Sequence, residues 1–129
     1  MPTRLKSFSV RNPERDAILA TNATLASSYW ARFWGLMLRR HLPPGRGILL
    51  TRSSSIHSFF MLMRFDAIYL DDTGRVVKLV HRMRPWWISF GGRGAKHTLE
   101  LPAGTVEATG TVAGDVLVFE DPAPRRAAA

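Results

Sequence analysis

The sequence predicts a mainly β fold, a small β-barrel or β-sandwich of about seven short strands with one helix near residues 23–37. Three observations carry that expectation. Short segments alternate apolar and polar residues with the period of a half-buried strand, as in Arg4–Val10 and Ala95–Leu101. Turn-forming clusters of Gly, Pro, Asp and Asn separate these segments. Helical spacing occurs in one stretch, where Leu25, Tyr29 and Phe33 recur every fourth residue and Leu36 extends the same face.

Taken in order, Arg4–Val10 reads as the first strand, broken by Asn12-Pro13, and Ala17–Thr21 as a short second one. Asn22 is placed to cap the helix, and Gly35 with the loop His41–Gly47 stops it. Ile48–Leu50, Ile56–Met61 and Phe65–Leu70 follow as apolar strands. Asp71-Asp72-Thr73-Gly74 is a turn signal, so Arg75–Val80 returns as the second arm of a hairpin. Met83–Gly94 reads as a long loop with an apolar anchor and a glycine-rich tip. Ala95–Leu101 alternates again, Thr105–Thr109 makes one helical turn, and Val116–Phe119 is the last strand. With 129 residues and 46% hydrophobic side chains, residues 1–121 are expected to form one β-rich domain. Residues 122–129 have nothing to bury and are expected to fray.

Composition narrows the chemistry. The absence of cysteine excludes disulfides, thiol nucleophiles and Cys-ligated metals. No apolar run is long enough to span a membrane, and the N-terminus lacks the apolar core of an export signal, so a cytoplasmic location is expected. The net charge of +8 is uneven: residues 1–52 carry +7, residues 53–98 carry +4 and residues 99–129 carry −3. Such a field attracts polyanions or acidic partners, although the basic residues are scattered singly.

Standard nucleotide, metalloprotease and hydrolase motifs are absent. The four histidines, His41, His57, His81 and His97, show no close ligand spacing, so no metal and no cofactor are expected. Strict alternation also turns Glu100 away from His97. Ile56–Asp66 is the most informative stretch: His57, Phe59 and Met61 would line one face, and Asp66 interrupts an apolar strand. A carboxylate there must find a donor, for which Arg32 or Arg64 is available, or face water. Arg82, Arg84, Trp86 and Trp87 interleave basic and aromatic side chains, as single-strand binders do and as a loop pinned by buried indoles would.

Read together, these blocks resemble domain-of-unknown-function family 192, an uncharacterised bacterial and archaeal group. Arg32-Phe33-Trp34-Gly35-Leu36-Met37 resembles its R-x-x-G-L-M signature, Ile56–Met61 its I-H-T-F-x-M block and Asp66–Asp71 its D-V-V-F-L-D strand. Gly74–Val77, Leu99–Gly104 and Gly114-Asp115 complete the likeness, over about residues 16–120. The resemblance implies a jelly-roll-like sandwich with a short helix and supplies no activity. Its motif positions here are Arg32, Gly35, Met37, His57, Met61, Asp66, Glu100 and Gly104. Leu62 departs from the family, which usually has Lys or Arg there, with Arg64 two places on here, and many members carry an export signal that is not expected here.

The expected function is a binding module for an unidentified small molecule or protein, with a pocket lined by Arg32, His57, Met61 and Asp66. One alternative is a small enzyme using Asp66 or Glu100 with His57 as acid and base. The other is a nucleic-acid or anionic-surface binder using Arg82, Arg84, Trp86, Trp87 and Arg93.

Overall fold

The turn Asp71–Gly74 is built as its composition demands. The Asp71 carboxylate accepts the N–H groups of Thr73 (2.9 Å) and Arg75 (3.1 Å), and Gly74 takes a φ of 91°. The turn joins β5 (Phe65–Leu70) to β6 (Val76–Met83), the hairpin that the sequence predicts. The computed structural model describes residues 6–26 and 41–122. Within them lie β1 (Ser7–Asn12), β2 (Ala17–Ala26), β3 (Arg46–Leu50) and β4 (Ser55–His57). β7 (Ile88–Phe90), β8 (His97–Pro102), the short helix α1 (Thr105–Thr109) and β9 (Val118–Glu120) follow, and one 3-10 turn, Pro13–Arg15, links β1 to β2.

Seven strands form one sheet in the order β6-β5-β8-β3-β2-β1-β9, and β4 pairs with β7 in a second, two-stranded sheet. All pairs are antiparallel except β2 with β3. The large sheet curls into a half-barrel. Its two rims touch at Arg75 and Val116, where the N–H groups of Val76 and Leu117 reach the carbonyls of Asp115 (2.8 Å) and Gly74 (2.9 Å).

Period-two alternation along β5 and β8 sorts the core into two layers. Ile68, Leu70, Leu99 and Leu101 pack with Phe8, Leu49 and Val106 of α1 on one face. Phe65, Ala67 and Tyr69 lie on the other with Ile48, Leu50 and Met83, under Ile56 of β4 and Met61. Each large side chain so buried contributes about 1.5–3 kcal/mol.

Three expectations change. Residues 23–26, expected to begin the helix, are the end of β2, with Ala23 opposite Phe8 on β1 and Gly47 on β3. Asn22 does not cap: its Oδ1 accepts the Ser7 hydroxyl (2.8 Å) and its N–H donates to Gly45 (3.0 Å). Partners on both sides outweigh the local helical spacing; the remainder of the 23–37 prediction lies outside the described residues, and the helix they contain is α1. The strand expected over Ile56–Met61 ends at His57, because Phe60 turns into the left-handed region at a φ of 64°. The Met83–Gly94 loop contains β7, and its indoles are exposed rather than anchoring.

Candidate ligand-binding groove

β6 forms one rim of the large sheet, and β7 belongs to the small one. An open groove of about 690 Å³ lies between them, with Lys78, His81, Arg82, Arg84, Trp87 and Phe90 among its walls. Its volume is that of an ordinary ligand site. Lys78 Nζ donates to the Phe90 carbonyl (2.7 Å) and ties the two walls together.

A bulge shapes the first wall. Phe65 pairs with Met83 but Ala67 pairs with Val80, so β6 carries an extra residue around His81 and Arg82. Arg82 takes a φ of 49° there. Asp66 holds it: Oδ1 accepts the Arg82 N–H (2.9 Å) and Oδ2 the Val106 N–H of α1 (2.8 Å). Among the described residues the donors that the sequence required are therefore main-chain N–H groups, not the Arg64 side chain. Asp66→Ala strands two N–H groups and should cost about 2–4 kcal/mol, read as a lower denaturation midpoint at unchanged m-value. An unaltered midpoint would remove this role.

Ser58 builds the second wall. It is fully buried, and its N–H donates to the Trp87 carbonyl (2.8 Å) while its Oγ accepts the Trp87 N–H (2.8 Å). The same hydroxyl donates to the Arg84 carbonyl. The Ser58 carbonyl accepts N–H groups from Met61 (3.1 Å) and Trp86 (2.9 Å). This knot ties two loops in which Phe60 and Trp86 both stand at positive φ, 64° and 63°. Bulky residues rarely adopt that region, which costs about 1–3 kcal/mol each. Here it turns both rings outward, 4.8 Å apart, with Phe59 5.8 Å from Trp86. Arg84 sits 5.7 Å over the Trp87 ring.

The structure does not gather the sequence-derived pocket. His57 is exposed on β4, opposite Ile88 of β7, and its ring lies 5.0 Å from Phe59, beside the aromatic cluster. Asp66 points to the opposite face of the large sheet, as its bond to Val106 shows. Met61 is buried in the apolar layer, and Arg32 lies outside the described residues. Of the nucleic-acid set, Arg82, Arg84 and Trp87 line the groove and Trp86 adjoins Trp87, whereas exposed Arg93 belongs to a turn away from its walls.

Glu100 shares a face with Ala67 and Ile48, away from His97 as alternation predicts. It is buried, its Oε2 has no hydrogen-bond partner, and burial pushes its carboxyl up to about 8. The Tyr69 hydroxyl on the same face also lacks a well-formed hydrogen bond, and burial raises its pKa. His97 accepts the Arg52 N–H at Nδ1 (3.1 Å) and meets Asp72 through Nε2 (2.6 Å). An acid/base centre of His57, Asp66 and Glu100 has no geometric support. Among the described residues, no three His, Asp or Glu side chains cluster as metal ligands would. Sequence reasoning missed Ser58, because its role comes from carbonyls about thirty residues away; an interrupted alternation at Phe59-Phe60 was the available signal.

Curled sheet, β4–β7 pair and groove together define a mostly β fold with an open surface groove. The chain belongs to the DUF192 family, described as an uncharacterized ACR, whose model matches residues 10–119. A UPF0127 protein of Thermococcus sibiricus is 34% identical over 113 residues, covering 84% of this chain and 73% of its own. Another from Pyrococcus abyssi is 35% identical over 97 residues, covering 70% and 80%. A solved structure from Sinorhizobium meliloti, named a "putative transcription regulator", matches with a TM-score of 0.74 and 26% identity over 88% of this chain and 92% of that one. A protein of unknown function from Novosphingobium aromaticivorans matches at 0.75 and 18%, over 86% and 82%. No helix among the described residues is long and apolar enough to cross a membrane.

Proposed function

We propose that residues 1–121 act as a binding module, in the cytoplasm, that takes anionic ligands in the β6–β7 groove. The observation that carries this reading is the composition of the walls: Lys78, His81, Arg82 and Arg84 face exposed Trp87 and Phe90, and none of the described lining side chains is acidic. Two carboxylates approach Arg82: buried Asp66 is taken up by the Arg82 and Val106 N–H groups behind the wall, and exposed Glu107 touches the exposed guanidinium only at 3.9 Å. Concave cationic surfaces concentrate anions. The groove thus replaces the pocket expected at His57 and Asp66, with Asp66 shaping one wall from behind. The name of the Sinorhizobium relative is compatible with an anionic target.

Isothermal calorimetry with inorganic polyphosphate tests the reading. Binding is expected at low ionic strength and should weaken steeply as salt rises. The double variant Lys78→Gln, Arg84→Gln should weaken it about tenfold, given the worth of exposed charge contacts. No heat at low salt, or an affinity indifferent to that variant, would overturn it.

A further inference from the structure

We propose that the ligand of this groove is a single-stranded nucleic acid, its phosphates following the Lys78–Arg84 wall and its bases stacking on Trp87 and the Trp86–Phe60 cluster. The inference rests on the groove being an anion site and adds the aromatic half of the recognition. Trp86, Trp87 and Phe90 are 59%, 56% and 66% exposed, and Phe60 is 49% exposed. Exposing four large rings on adjoining segments is unfavourable for a chain with no use for them. Two of the four, Phe60 and Trp86, are also turned out by strained backbone, which persists only because the Ser58 knot enforces it. The fold therefore spends stability at this place on displaying π faces beside cations.

The arrangement separates the candidate polyanions. The seven residues from Lys78 to Arg84, extended except at the Arg82 bulge, span somewhat less than about 20 Å, a track rather than a point site. Bases stack on aromatic side chains only when unpaired, so a duplex offers this groove its phosphates and nothing for the indoles. A lipid surface presents anions in a plane, whereas these cations line a concavity between two strands. A flexible single strand satisfies both halves. With stacking and charge as its means, recognition tolerates any base sequence.

Fluorescence anisotropy of the full chain with labelled oligothymidylate, an abasic oligonucleotide of equal length, a hairpin duplex and anionic vesicles tests the proposal. Oligothymidylate should bind about tenfold more tightly than the abasic strand, as one or two stacked bases provide. The duplex should bind no better than the abasic strand. Trp87→Ala should bring the ratio of oligothymidylate to abasic affinity down to about one, and Trp87→Phe should restore part of that ratio; taking the ratio within each variant removes any loss of anion binding through Arg84, and unchanged thermal midpoints keep the comparison on binding. Equal affinity for the two strands overturns the inference and leaves the anion groove standing. Failure of both strands and of polyphosphate removes the groove as well. Vesicle binding without oligonucleotide binding overturns the inference in favour of a membrane surface.

Discussion

Glu100→Gln should make the protein more stable, and the gain should grow as the pH rises from 5 to 8. Glu100 lies in β8 between Ile48 on β3 and Ala67 on β5, with Oε2 unpartnered and burial holding its carboxyl near 8 instead of 4.5. The unfolded chain ionises above about 4.5, whereas the folded protein keeps the proton until about 8. Between those values unfolding releases a proton, so stability falls by up to about 1.4 kcal/mol per pH unit. The contribution is full below about 4.5, declines as pH climbs through 8 and then levels off. Glutamine has nearly the same shape and cannot ionise, so the slope in that window should vanish from the difference between the two proteins. A gain of about 4 kcal/mol at pH 8, shrinking to about 1 kcal/mol at pH 5, is expected from denaturant midpoints. Parallel pH profiles for the two proteins would show that Glu100 is ionised in the fold. Asp115 acts elsewhere on the scale: Arg15 and Asn12 hold its carboxyl low, so its contribution is lost only as pH falls below the ordinary carboxylate range.

Gly91→Ala should cost about 3 kcal/mol, the upper part of what overpacking a core costs. Gly91 follows β7, and its N–H donates to the Ser54 carbonyl (2.8 Å). A methyl group there would stand 2.5 Å from both Tyr69 Cδ1 and the Ala95 methyl. Tyr69 is wholly buried and cannot retreat. The collision would lift the end of β7, and with it Phe90 and the Lys78 bond that holds the groove together. Gly92→Ala is the comparison: its φ of 80° disfavours a side chain, but a Cβ there meets nothing within 4 Å. That change should cost only about 1 kcal/mol. Equal losses at the two positions would mean that the Tyr69 contact carries no weight.

These two residues mark where the sequence was readable. β5 and the Asp71–Gly74 hairpin were legible because local turn chemistry and alternation act within a few residues. β8 was legible by the same alternation, which also turned Glu100 from His97. The end of β2 was not, since its strand character comes from β1 and β3 on either side, whereas the spacing of Leu25, Tyr29 and Phe33 in the sequence is that of a helix face. At the candidate site, Arg82, Arg84 and Trp87 were legible as basic and aromatic residues in one stretch. Their exposure was not, because it depends on left-handed backbone at Phe60, Arg82 and Trp86. No residue type announces that conformation except glycine or asparagine, and the groups enforcing it, Ser58 and Asp66, act across long sequence separations. Asp66 was recognised as a carboxylate needing donors, but main-chain N–H groups cannot be told apart by sequence.

The contact between Arg75 and Val116 has a colloidal consequence. A sheet that ends in free strands can template like strands from other molecules and grow into fibres. Here the outermost strand on one side begins already bonded to the segment leading into the outermost strand on the other, and the latter spans just three residues. The backbone at that corner is therefore closed to a neighbouring molecule, and what stays open is the outer edge of β6 along the groove, where Lys78, Arg82 and Arg84 repel a like strand.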